Sequence, residues 1–286
     1  MKIQDIRIQL PHTELAAQVY GEEGGKPVLA LHGWLDNAMS FARLAPKLKG
    51  LKIVALDMAG HGYSAHRSLD SGYQLWDYAM DAFLAANYLG WGKFSLLGHS
   101  LGGIVSVLLA GAMPDRISRV ALIDGLVPYT GEAHEAPEKL KEALQAQLAL
   151  VHKQKPVYPT LEHGIRARMQ GLIKVSREAA ELLAERGLSP IKGGYTWNTD
   201  PRLTLPSPLR FTKAHAVAFV MAVKCPVSLV LAEQGILLSE RAAQPFLDKL
   251  PFELHTLPGG HHLHLDDEQG AQAVAECFND FLNQTE

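Results

Sequence analysis

Cysteine is scarce. Cys225 and Cys277 are the whole supply in 286 residues, too few for a disulfide framework and without the spacing of a metal site. That economy fits a reducing compartment, and the expected location is the cytoplasm. Long apolar runs are also missing: no stretch approaches the roughly 18 uninterrupted apolar residues of a membrane span. The opening MKIQDIRIQLPHTELAAQVYG alternates apolar and polar positions instead of forming the apolar core of a signal peptide. Nor is there a Lys/Arg-rich run. With 27 basic and 30 acidic residues the net charge is -3, which argues against a nucleic-acid or anionic-membrane partner and in favour of a small molecule. Internal repeats and low-complexity segments are absent. The chain is 47% hydrophobic and 20% charged, an ordinary globular composition with enough length for a core and a lid. Oligomeric state is left open.

Two alternating segments within the first twenty residues, joined at Pro11-His12, predict an antiparallel hairpin at a sheet edge. Four short, nearly continuous apolar runs follow, at 27–33, 51–57, 94–100 and 118–124, as expected of parallel strands buried on both faces. Helical patterns near 39–49, 73–89 and 101–112 lie between them, the alternation of a doubly wound α/β sheet. Further strands at 225–233 and 252–259 bracket a helix near 239–250, and a last helix spans about 268–283. The sheet is interrupted once. The interruption reads as mainly helical, with segments near 135–152, 160–171, 176–186 and 212–222 and a Gly/Pro/aromatic loop, GGYTWNTDPRLTLPSPLRF, before the last. The division this implies is a core of 1–124 and 223–286 with a helical cap at 125–222, inserted between the sixth and seventh strands.

One stretch, FSLLGHSLGG at 94–103, puts Ser100 between glycines at a strand-to-helix turn. A turn of the form GxSxG strains and exposes its serine, so Ser100 is read as a nucleophile rather than as a small residue in a tight bend. A serine hydroxyl needs a base to take its proton and donors for the oxyanion. Leu101, next in chain at the start of a helix, offers its amide where the macrodipole favours an anion.

In order along the chain, LHGWLDN, LDMAGHGYS, GHSLGG and LPGGHHLHLDD resemble the motifs of the α/β-hydrolase superfamily, and the resemblance spans about residues 3 to 284. LLAERG, DPRL, the glycine of LAEQGIL and the His-x-x-His of 261–264 are most similar to the serine hydrolase-like protein family. The resemblance implies a mostly parallel doubly wound sheet, an acyl-enzyme mechanism on a carboxylic ester or thioester with an apolar part, and no metal or organic cofactor. It implies His261 as the base and the Trp34 amide as the second oxyanion donor. The usual acid position after the 225–233 strand is here Gly235. The remaining choices are Asp124, at the end of the strand RVALID, and Glu233, of which Asp124 is preferred. His262 and His264, which would share a face in an extended stretch, are read as structural or pocket residues, and a zinc site built from 261–264 lacks a fourth ligand at suitable spacing. His61 of LDMAGHGYS is read as structural. The cap aromatics Tyr129, Tyr158, Tyr195, Trp197, Phe211 and Phe219 are candidates for an apolar pocket or for cap core. A serine at the elbow disfavours dehalogenase and epoxide hydrolase chemistry, which uses aspartate there. A cofactor-free carbon–carbon bond hydrolase and a non-catalytic ligand-binding protein remain the alternatives.

Overall fold

The computed structural model describes residues 3–150, 154–239, 244–247, 249 and 251–284. In chain order the elements are β1 (Gln4–Gln9), β2 (Glu14–Gly21), β3 (Lys26–Leu31), β4 (Leu51–Leu56), α1 (Leu75–Tyr88), β5 (Phe94–His99), α2 (Leu101–Ala112) and β6 (Ile117–Ile123). Between β6 and the next strand of the main sheet come α3 (Ala136–Leu150), α4 (Leu161–Met169), α5 (Arg177–Gly187), β7 (Leu188–Ile191), β8 (Gly194–Trp197) and α6 (Lys213–Ala222). The chain then returns with β9 (Val227–Gln234), the one-turn helices α7 (Ile236–Ser239) and α8 (Gln244–Leu247), β10 (Glu253–Gly260), the one-turn α9 (Leu263–Asp266) and α10 (Glu268–Asn283).

Eight strands form the main sheet in the order β1-β2-β4-β3-β5-β6-β9-β10. The β1-β2 and β2-β4 pairs are antiparallel and the rest parallel, so the expected hairpin does sit at an edge. Every residue of β5 is buried, as is all but one of β6, because helices cover both faces. On one face α2 lies so close that a Cβ at Gly102 would collide with the Leu31 carbonyl, which only glycine permits. α10 covers the other face through Ala271, Val274, Ala275, Phe278, Phe281 and Leu282, spaced three and four apart as a helical stripe requires.

Three expectations are corrected. The pattern at 39–49 forms two 3-10 turns, Ala38–Phe41 and Ala45–Lys47, because Pro46 has no amide to continue a helix and is tolerated only at the start of a new one. The stretch after α5 is not all loop: α5 runs straight into the β7-β8 hairpin, whose turn uses Gly193 at φ 93. A single helix at 239–250 is replaced, where residues are described, by α7 and α8, the rest of that expectation falling outside the described residues. In the insertion, Ser176 caps α5 by accepting the Ala179 amide, as its sequence position predicts.

Three arginines, one buried and two half-buried, tie the insertion down. Arg186 of α5 pairs with buried Asp57 at 2.7 Å and with Asp5. Arg202 pairs with Asp200 at 2.6 Å and donates to the carbonyls of Ser68 and Ser71, at 2.7 and 3.0 Å. Arg168 of α4 pairs with Asp36 at 2.7 Å. The LLAERG and DPRL motifs thus supply fastenings. α3 differs: none of its residues is buried. No helix among the described residues is long and apolar enough to cross a membrane.

Candidate active site

Among the described residues, three that are not glycine have positive φ: Leu35 (63°), Ser100 (52°) and Asp124 (41°). They follow β3, β5 and β6, which are adjacent in the middle of the sheet, so three strained turns gather beyond the carboxyl ends of neighbouring strands. Such backbone persists only where its surroundings over-determine it, and it gathers at functional sites. At the middle one, the Ser100 amide donates to the Ile123 carbonyl at 3.0 Å and the Gly102 amide to the His32 carbonyl at 3.0 Å, which locks the elbow to both neighbouring strand ends.

Asp124 is 2% exposed and His261 6%. His261 Nδ1–H donates to Asp124 Oδ2 at 2.6 Å, and the same oxygen accepts the Ile236 amide at 2.8 Å. With its proton on Nδ1, the imidazole carries its lone pair on Nε2, which makes no hydrogen bond among the described residues. Glu233, the rival acid, is exposed near the end of β9, away from this pairing. The absent aspartate at 235 now has a physical reason: a Cβ at Gly235 would fall on the Asp124 carboxylate. One space can hold only one acid.

The turn from Gly33 to Asp36 is held by histidines that stay neutral. The Leu35 amide donates to His61 Nε2 at 3.2 Å and the Asp36 amide to the Gly33 carbonyl at 3.2 Å. His61 Nδ1–H donates in turn to the Ala59 carbonyl at 3.1 Å, and burial pushes the ring down to about 3. His32 accepts the Met58 amide at 3.0 Å, and burial lowers it to about 4. The structural reading of His61 therefore holds, with a consequence: it buttresses Leu35.

The stretch holding His262 and His264 is not extended, because α9 begins at Leu263, yet the two rings still stack with centroids 6.4 Å apart. His264 is fully buried, pairs with Ser40 Oγ at 3.1 Å and is lowered by burial to about 3. His262 Nε2–H donates to Asp36 Oδ2 at 3.0 Å. His99, preceding the elbow serine, donates from Nε2 to the His261 carbonyl at 2.9 Å, and burial with the nearby imidazoles keeps it far below its ordinary value. Sequence reasoning missed Asp36, His99 and Arg168. Asp36 and Arg168 meet from 132 residues apart, and although Asp36 lies in LHGWLDN, nothing local points to Arg168 as its partner. Asp36, His99 and His262 also bring three ligand-type atoms within 4.8 Å of one another, the group among the described residues able to approach a metal. Only His262 comes from the 261–264 cluster. Arg168 already supplies the positive charge opposite Asp36, and an incoming cation would have to displace it.

Ser100, Leu101, Trp34, Asp124 and His261 all line a cavity of about 1200 Å³. Its walls are mainly apolar and come largely from the insertion, including Tyr129, Leu140, Leu144 and Phe211. Phe219 stacks on Phe211 at 5.7 Å, whereas Tyr158 and Tyr195 pair as backbone and Trp197 packs against Gly187 in the insertion's interior.

The pattern described as the alpha/beta hydrolase fold matches residues 26–268. The chain belongs to the α/β-hydrolase fold family. Within it, this α/β hydrolase is similar to a serine hydrolase-like protein of Danio rerio, 28% identical over 97% of this chain and 88% of that one. It is similar also to serine hydrolase-like protein 2 of Homo sapiens, 29% identical over 96% and 94%. A solved structure of a hypothetical protein from Pseudomonas aeruginosa PAO1 is 68% identical, with a TM-score of 0.96, covering 98% of this α/β hydrolase and 100% of that chain.

Proposed function

We propose that the chain is a serine hydrolase that cleaves a carboxylic ester or thioester through an acyl-enzyme, with residues 125–222 acting as a lid on a core of 1–124 and 223–286. The observation that carries this is the 2.6 Å Asp124–His261 pair opening onto the cavity that Ser100 lines. Ser100 Oγ attacks the carbonyl carbon as His261 Nε2 takes its proton. Asp124 fixes the imidazole tautomer and stabilises the imidazolium. The developing oxyanion accepts from the Trp34 and Leu101 amides, the latter at the N-terminus of α2. His261 then protonates the leaving alcohol or thiol. In the second half it takes a proton from water, which attacks the acyl-enzyme, and returns a proton to Ser100 Oγ as the acid is released. No metal or organic cofactor enters these steps, and the apolar walls favour a substrate with an apolar acyl or alcohol part.

A fluorophosphonate probe tests the reading. It is expected to label the wild-type chain and to leave Ser100→Ala unlabelled, and p-nitrophenyl esters of increasing acyl length are expected to turn over with rising kcat/KM. A folded wild-type chain that resists the probe overturns the reading in favour of a non-catalytic role. Labelling with every ester and thioester inert transfers it to carbon–carbon bond hydrolysis.

A further inference from the structure

Between Gly33 and Asp36 the backbone makes the turn whose Trp34 amide the proposed oxyanion site uses, and Leu35 in it is held at φ 63°. A leucine is strained in that region, so something must hold it there. On one side the holder is His61, through the Leu35 amide. On the other side lies a carboxylate.

Asp36 is 1% exposed, and its two oxygens reach two other segments: Oδ1 accepts from Arg168 of α4 at 2.7 Å and Oδ2 from His262 at 3.0 Å. His99 Nδ1 stands 3.7 Å from Oδ2, and a Cβ at Gly33 would be 2.9 Å from both of these atoms, so the carboxylate lies against the backbone of its own turn. Burial opposes its charge, yet His262 and Arg168 beside it keep the carboxyl well below the usual carboxylate range. One buried anion thus joins the oxyanion turn, the segment carrying His261 and the insertion.

We propose that Asp36 is a positioning residue for the oxyanion turn, keeping Leu35 in its strained conformation and the Trp34 amide aimed at the reacting carbonyl, with Arg168 of the insertion as its required counter-charge. This rests on the serine hydrolase reading above. Asp36→Asn preserves size and the His262 contact but removes the charge and leaves Arg168 without its counter-charge. Leu35 then relaxes and the adjoining peptides rotate. A displacement of about 1 Å at a catalytic group costs on the order of 10²-fold in rate, similar to losing one oxyanion donor. Substrate binding, set by the apolar walls, is untouched.

The test is the rate of fluorophosphonate reaction at Ser100, resolved into its maximal rate and the probe concentration for half-saturation, in wild type, Asp36→Asn, Arg168→Met, Arg168→Lys and the Asp36→Asn/Arg168→Met pair, each checked for folding by thermal melting. The proposal expects a maximal rate about 10² lower in Asp36→Asn and Arg168→Met, half-saturation within about twofold, no further loss in the double variant, and partial recovery in Arg168→Lys. A role confined to stability would lower the melting temperature and spare the rate of the folded protein. Should Asp36→Asn fail to fold, Arg168→Met, changed at the rim of the insertion, decides alone. Wild-type labelling with an undiminished maximal rate in a folded variant, or a change in half-saturation alone, overturns this proposal and leaves the hydrolase reading intact. Absence of Ser100-dependent labelling in the wild type overturns both.

Discussion

At the scale of single residues, Asp124 carries the sharpest expectation. Its carboxylate sets the His261 tautomer, and an amide in its place can present an NH2 group to Nδ1 and leave the lone pair on the wrong nitrogen. Asp124→Asn is expected to lower kcat by about 10⁴-fold with the fold retained, whereas Glu233→Gln, exposed near the end of β9, is expected to stay within about twofold of wild type. Steady-state kinetics on the best p-nitrophenyl ester read both. The elbow that places Ser100 and Leu101 was legible in the sequence because it depends on local geometry: a serine between glycines, and the residue after it at a helix start. The carboxylate partner of His261 was legible only as a choice of two, since which strand end faces His261 depends on packing. Asp36 and His99 lie inside LHGWLDN and GHSLGG, but their meeting with each other and with Arg168 was illegible, because it depends on how distant segments pack.

Elements differ in how firmly they are attached. Arg186 is the counter-charge of Asp57, a carboxylate buried beneath the insertion. Arg186→Met is expected to destabilise the chain by about 3–5 kcal/mol in urea unfolding, because it strands that charge. α3 should behave in the opposite way: Leu140 and Leu144 line the cavity yet are 47% and 58% exposed. Leu144→Gln is expected to shift stability by less than about 0.5 kcal/mol while raising KM for long-chain esters several-fold more than for acetate esters. Strands buried on both faces announced themselves as unbroken apolar runs. The β7-β8 hairpin was hidden because each strand is four residues long within glycine- and proline-rich sequence, and the 39–49 pattern misled because Pro46 outweighs its apolar spacing.

For the molecule as a whole, acid is the expected weakness. His32, His61 and His264 are fully buried, and burial lowers them to about 4, 3 and 3 from an ordinary 6.5. Between those values and 6.5 the unfolded chain binds protons that the folded chain refuses, so stability is intact above pH 6.5 and falls as pH drops through this window. Each such histidine contributes a slope of about 1.4 kcal/mol per pH unit. Urea titrations at pH 7 and pH 5 are expected to show a marked loss at pH 5, with uptake of about four protons on unfolding, buried His99 adding to these three, measured by calorimetry in buffers of different ionisation enthalpy. A flat stability profile over this range would contradict the neutral packing of these rings.

The shared space between Gly235 and Asp124 has a historical meaning as well. An ancestor with its acid after β9 could not acquire Asp124 while keeping the old carboxylate, and losing the old one first would leave the histidine unsupported. Migration between the two strand ends therefore crosses a gap that no single substitution bridges. Asp124→Gly with Gly235→Asp made together should restore a working triad that neither change alone supports, since the first puts glycine where φ is 41° and vacates the volume the second fills.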